Sequence, residues 1–343
     1  MHMADALISP IVGGAMWATS TGVASYSIKK VQTNLEEKKI PLMGVMGAFV
    51  FAAQMINFSI PGTGSSGHIG GGILLAILLG PNAGFLTMAS ILIIQALFFA
   101  DGGLLALGCN IFNLGFFTCY IAYPFIYKRI IKKGYSKKRL FSASIISAVI
   151  GLQFGSLGVV LETFLSGKTQ IPLNTFLLFM QPIHLAIGVI EGLITAAVVT
   201  FIWNARPEIL ENVSTEKSLN SVSFKKVIIA LLLATIFIGG ILSWFASSNP
   251  DGLEWAILNT TGSEELESSS NVHENISNLQ EKIAILPDYS FRNNLSTEET
   301  SSILQSNAGT SFSGAIGGVL TLLLAVLIGF ITNRIKKKKQ LDN

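Results

Sequence analysis

Apolar residues run along this chain in long unbroken stretches, divided by short polar clusters. The stretches at 9–28, 41–60, 66–80, 83–100, 104–127, 140–165, 173–203, 226–247 and 313–333 predict nine spans. A bilayer core calls for about 20 apolar residues per helical crossing, and backbone groups in lipid must pair within their own segment. The two-residue alternation of a barrel strand is missing. The expected fold is therefore all-α, a polytopic membrane helix bundle. The 66–80 stretch is short and rich in glycine, so its ends are the least sharply marked.

Composition agrees with that pattern. Only 13% of the 343 residues are charged, about half the share of a soluble domain. Of the 23 Lys and Arg, all but three fall in four clusters: Lys29 to Lys39, Lys128 to Arg139, Arg206 to Lys226 and Arg334 to Lys339. Basic residues flanking spans stay in the cytoplasm. With all four clusters there, the crossings close as seven helices and then two. The N-terminus is then outside, the C-terminus in the cytoplasm, and the location a cell membrane crossed many times. No basic n-region or apolar h-region precedes Ser9, so no cleavable signal peptide is expected. The net charge of +3 thus expresses topology, and no nucleic-acid partner is expected.

The expected organisation is a seven-helix membrane domain at 1–205, a cytoplasmic linker at 206–226, and a two-helix unit at 227–343 with a large external loop at 248–312. That loop is rich in Ser, Asn and Glu and is expected to be only partly ordered, with His273 solvated. Cys109 and Cys119 share one apolar helix and read as small core residues, not as metal ligands.

The chain has only four histidines, and three lie in or beside the first unit. At the start, Met1-His2 places three nitrogens in covalent order: the Met1 amine, the His2 amide and the His2 Nδ1. A metal on all three closes a five- and a six-membered ring, and binding the amide expels its proton. Square-planar nitrogen fields favour Ni(II) and Cu(II) among divalent ions, and one planar position remains for a further imidazole. A Met-His start also arises from an arbitrary terminus or a tag remnant, and on this motif alone the two readings stand level. His68, in GTGSSGHIGGG, sits at the external mouth by the topology count. The surrounding glycines give clearance for a docked peptide or, alternatively, a small-residue helix contact. Asp101 lies in an external turn, and Asn110 and Asn113 share one helix face. With Asp5 and Ser66 they are candidates to orient the imidazoles. His184 and Glu191, two turns apart on one helix, form an alternative metal route or a polar pair with Glu162 nearby.

The segments MHMADALISP, GSSGHIGGGILLAILLGPNAGF, ALFFADGGLLALGCNIFN and PIHLAIGVIEG resemble the substrate-capture component of nickel/cobalt energy-coupling factor transporters. The remainder, with SNPDGLEWA, LPDYSF and SFSGAIGG, resembles its small two-helix accessory component, fused in one chain. The resemblance implies that Met1, His2 and His68 hold the metal. It also implies separate partners, a coupling transmembrane subunit and ATPase subunits. The expected function is high-affinity capture of a divalent transition metal, Ni(II) favoured over Co(II), for an ATP-driven importer. Ni2+ or Co2+ is the transported substrate, and no cofactor is expected. The chain lacks the G-x-x-x-x-G-K-[ST] phosphate loop, so ATP hydrolysis is assigned to the partners and no enzyme activity is expected. His-Glu-x-x-His spacing is also missing, which argues against a metalloprotease. A gradient-driven secondary transporter of an ion or vitamin is the alternative, with only Glu162 and Glu191 as intramembrane acids. Metal capture is expected to survive deletion of 206–343.

Overall fold

The structure, a computed structural model, describes residues 2–34, 37, 39–168, 170–215, 224–263, 270–291 and 303–341. After a 3-10 turn at Asp5–Leu7 come α1 (Pro10–Asn34) and α2 (Lys39–Gln54). An antiparallel hairpin follows, β1 (Phe58–Ile60) against β2 (Ser65–Gly67), with Ser59 opposite Ser66. The first part of the chain continues through α3 (Gly72–Leu79), α4 (Pro81–Phe98), α5 (Leu107–Ile131), α6 (Lys137–Leu165) and α7 (Leu173–Ala205). The remaining helices are α8 (Pro207–Thr215), α9 (Lys225–Gly240), α10 (Gly252–Thr261), α11 (Asn271–Ile283) and α12 (Ile303–Leu341).

Among the described helices five are long and apolar enough to cross a membrane: α4, α5, α6, α7 and Asn307–Lys336 within α12. The protein is an all-α, multi-pass membrane bundle. Every expected span meets a helix. At 9–28, 41–60, 66–80 and 226–247, however, that helix is too short or too polar to qualify on length and composition.

The 66–80 stretch explains its own irregularity. With eight residues, α3 rises only about 12 Å, and the chain reaches it through non-helical residues 68–71. Gly71 takes φ +78°, and Gly80 at φ +84° with Pro81 turns the chain straight into α4. Non-helical backbone at membrane depth survives only where protein satisfies it. Here the buried Glu191 of α7 accepts the amides of Gly70 (2.6 Å) and Gly71 (3.1 Å). Gln54 donates to the Gly70 carbonyl (2.7 Å) and accepts from Gln95 (2.9 Å). The polar groups of the break are thus paired by α2, α4 and α7.

Small residues carry the helix contacts, as expected where lipid is as apolar as the interface. On α7, Gly188 faces the Val149 backbone and Gly192 that of Ile145 on α6. Along α2, Gly44 admits Val326 of α12, and Gly317 of α12 admits the Phe51 ring.

Two stretches carry helices among their described residues that composition alone does not mark. The one at 206–226 begins as α8, with Ile209, Leu210 and Val213 buried; 216–223 lie outside the described residues. The 248–312 stretch contains α10 and α11. Asp251 caps α10 by accepting the amides of Leu253 (2.7 Å) and Glu254 (2.9 Å), while Glu254 accepts the Asp251 amide. Burial of apolar faces, absent from a purely compositional view, accounts for this order.

Replacing Glu191 by leucine strands two buried amides, at a cost of about 2–6 kcal/mol. Thermal unfolding in detergent should show a large drop for Glu191→Leu and a smaller one for Glu191→Gln, which keeps one acceptor. An unchanged midpoint for the leucine variant would remove this role.

Candidate metal centre

The N-terminal peptide is threaded into the bundle by its backbone. Met3, Leu7 and Ile8 are buried and serve as apolar anchors. The Met3 amide donates to Asn110 Oδ1 (2.8 Å), and the Met3 carbonyl accepts from Asn110 Nδ2 (3.2 Å) and from the Gly103 amide (2.9 Å). Asp5 accepts the Ala106 amide (3.0 Å). A Cβ on Gly103 would overlap the Asp5 side chain and backbone, and one on Gly102 would press on Asn110 and His2. The clearance for the peptide therefore comes from Gly102-Gly103. It does not come from the glycines after His68: those pack against Val50, Leu114, Thr118 and Glu191, or face open space. Met1 lies outside the described residues.

This docking brings His2 onto His68. The two imidazoles stack with centroids 5.0 Å apart and planes within 9°. His68 Nδ1 stands 3.1 Å from the Ile69 carbonyl. A carbonyl only accepts, so Nδ1 carries the proton and Nε2 holds the lone pair, the tautomer of a metal ligand. His2 Nδ1 lies 3.1 Å from Asp101 Oδ1, while its buried Nε2 has no hydrogen-bond partner among the described residues. Burial pushes the His2 imidazole down to about 3, so it is neutral at physiological pH. Among the described residues no three His, Cys, Asp or Glu side chains gather closely enough to hold a metal.

The other expected residues divide. Asp101 reaches His2, and Asn110 holds the neighbouring Met3. Asn113 donates to Glu162 (2.7 Å) and approaches the Met3 sulfur (3.9 Å), so it supports the peptide from below. Ser66 touches neither imidazole; its amide and hydroxyl donate to the carbonyls of Pro250 and Asn249, both at 2.8 Å. Glu191 is occupied by the Gly70 and Gly71 amides. His184 Nδ1 donates to the Met180 carbonyl (2.8 Å) on its own helix.

The second part of the chain roofs this centre, which sequence reasoning did not foresee. Tyr289 donates to Asp101 Oδ2 (2.5 Å), and Gln280 donates to the Ala96 and Gly102 carbonyls (3.0 and 2.7 Å). The amides of Leu286 and Asp288 donate to Phe98 and Phe99 (3.1 and 2.9 Å). His273 is not solvated. It is buried, with Nε2 donating to the Ile8 carbonyl (2.8 Å) and Nδ1 against Ser270 (2.7 Å). A cavity of 960 Å³ runs through this region, with Asp101, Asp251, Glu254, Glu281 and Asp288 among its walls beside His2 and His68. Dispensability of 206–343 for metal capture does not follow from such a centre.

Asn110 is the main clamp on the peptide. Asn110→Ala leaves the Met3 amide without its acceptor, and hydrogen–deuterium exchange there should rise by about tenfold, the equivalent of one lost hydrogen bond. Native exchange in that variant would assign the clamp to Gly103 and the apolar anchors.

Comparison with known proteins agrees with this architecture. Residues 2–209 match the family model described as the cobalt uptake substrate-specific transmembrane region, and residues 225–334 match the PDGLE domain. A putative fused nickel transport protein of Archaeoglobus fulgidus is 32% identical over 94% of this chain and 96% of its own length. A putative metal transport protein of Haloquadratum walsbyi is 35% identical over 61% of this chain and 93% of its own. The crystal structure of a truncated transition metal transporter superposes with a TM-score of 0.54 at 31% identity, covering 60% of this chain and 99% of that one. The stacked imidazole pair, the threaded N-terminal peptide and these matches lead to one conclusion: the chain belongs to the family of cobalt uptake substrate-specific transmembrane proteins, continued in the same polypeptide by a PDGLE domain.

Proposed function

We propose that this membrane component of transition-metal uptake captures Ni(II), in preference to Co(II), from outside the cell. It acts as the substrate-specific subunit of an ATP-driven energy-coupling factor importer. The metal sits in a plane of four nitrogens: the Met1 amine, the His2 amide, the His2 Nδ1 and the His68 Nε2. One observation carries this reading. His68, its Nε2 left with a lone pair, lines the same cavity as a stacked His2 whose neighbouring residue is held by its backbone. A side-chain cage needs three or more ligands; a terminal chelate needs only one additional imidazole.

Binding proceeds from the chemistry of those groups. The acidic walls around His2 and His68 raise the local concentration of cations. The His68 imidazole offers its Nε2 lone pair without first losing a proton, whereas on His2 the proton that Nδ1 holds against the Asp101 carboxylate passes to Nε2 before Nδ1 binds. The His2 amide proton leaves as the metal binds, which planar-field ions support best. His2 Nδ1 exchanges its contact with Asp101 for the metal by a half-turn of the ring about Cβ–Cγ. Relatives with nickel or cobalt in their printed names support a transition metal as substrate. The partners of this reading are a coupling transmembrane subunit and separate ATPase subunits, and the N-terminus faces outward with the C-terminus in the cytoplasm.

Acetylating or extending the N-terminus should abolish tight Ni2+ binding in calorimetry, and His68→Ala should weaken it about 100-fold or more, the upper range for loss of one supporting group at a metal site. The loaded native protein should be yellow and diamagnetic. Native affinity in an uncleaved N-terminal fusion would remove the amine from the ligand set.

A further inference from the structure

Two buried imidazoles are left over by the four-nitrogen centre: His273, whose ring nitrogens both have partners, and His184. His184 is 1% exposed. Its Nδ1–H is fixed on the Met180 carbonyl at 2.8 Å, so Nε2 carries the lone pair. That atom is buried and has no hydrogen-bond partner among the described residues. An unmade hydrogen bond of this kind costs about 1–3 kcal/mol, and a histidine pinned through Nδ1 to a carbonyl is the usual posture of a metal ligand.

The surroundings give that nitrogen an object. His184 lines a cavity of about 10 Å³ together with His68, Asp251 and Gly252, over an apolar floor of Leu114, Leu152 and Ile187. This is room for one water-sized particle. Gly252, at the start of α10, keeps the cavity from being filled: a Cβ there would overlap Ile183 and stand 3.5 Å from His184 Cε1. The Asp251 carboxylate, which caps α10, lines the same cavity as both imidazoles. His68 thus borders two spaces, with the His2 ring stacked on it and the His184 cavity beside it.

We infer that this cavity is an inner way station for the captured divalent metal, which passes from the four-nitrogen plane to a two-imidazole site of His68 Nε2 and His184 Nε2. The inference rests on the function proposed above. His68 is the shared ligand: it is retained while the terminal chelate lets go and His184 takes the vacated coordination. No bond other than metal–nitrogen bonds changes, apart from the His2 amide recovering its proton from solvent. Two imidazoles hold Ni2+ far more weakly than a four-nitrogen chelate, and weakness is what a site on a path requires, since an ion must leave as well as enter. Asp251 lowers the cost of placing a cation in that otherwise apolar space.

The test is Ni2+ calorimetry on the full-length protein in detergent, with thermal melting to verify folding. The native chain should bind one tight equivalent. His2→Ala should lose it and keep one equivalent at least about 100-fold weaker. Adding His184→Gln should weaken that remainder by a further factor of about 10, within the range for loss of a metal-site group. Adding His184→Cys instead should preserve it, because a thiolate takes the same metals while a purely packing role gains nothing from sulfur. In the otherwise native chain, His184→Gln should leave the tight affinity within about twofold and slow Ni2+ uptake by the assembled transporter. Residual binding that is absent in His2→Ala, or indifferent to position 184, overturns the way station and leaves a water pocket. Absence of tight binding in the native chain overturns the four-nitrogen reading instead.

Discussion

Two amide protons, those of Gly70 and Gly71, set the terms for much of this molecule. In a bilayer they must find acceptors inside the protein, and a single carboxylate, Glu191, supplies both. That pairing permits the chain to enter α3 without helical winding, and the unwound entry is where His68 stands. A continuous helix through the same residues would engage these amides along its own axis and aim the imidazole at a neighbouring helix. The acid is therefore structural in its contacts, and through them it fixes the place of His68.

The N-terminal peptide obeys a similar rule from the other side. It enters the bundle with no more than a 3-10 turn at Asp5–Leu7, held by bonds to Asn110, Gly103 and Ala106 while Met3, Leu7 and Ile8 supply the apolar burial. The two irregular segments meet at the stacked imidazoles. Each is held by helices distant in sequence, so the centre is defined by the bundle as a whole.

Much of this was legible in the residues alone. Long apolar runs marked the helices because the bilayer leaves few other options, and sparse histidines in a membrane chain drew attention to His2 and His68. Asn110 and Asn113 stand out by the cost of polar groups inside a span, and Asp101 by its place in the turn before them. What escaped notice depended on tertiary partners. The glycines that make room for the peptide are Gly102 and Gly103, while the more conspicuous run after His68 serves packing and a left-handed turn. Gln54 and Gln95 carry no motif, and their role exists only once α2 and α4 stand beside the break. His273 reads as solvated in an acidic loop, yet an Ile8 carbonyl 265 residues away claims it. Composition reports what a segment is made of; it is silent on which apolar face another segment will cover.

The bonds from Ser66 to Asn249 and Pro250 join the β-hairpin to the turn between α9 and α10. Ser66 lies in β2, two residues before His68. The hairpin that leads to the imidazole is thus tied by hydrogen bonds to the second part of the chain. Fusing the two parts into one polypeptide keeps that linkage at a fixed stoichiometry, so that no copy of the cradle is ever made without its handle.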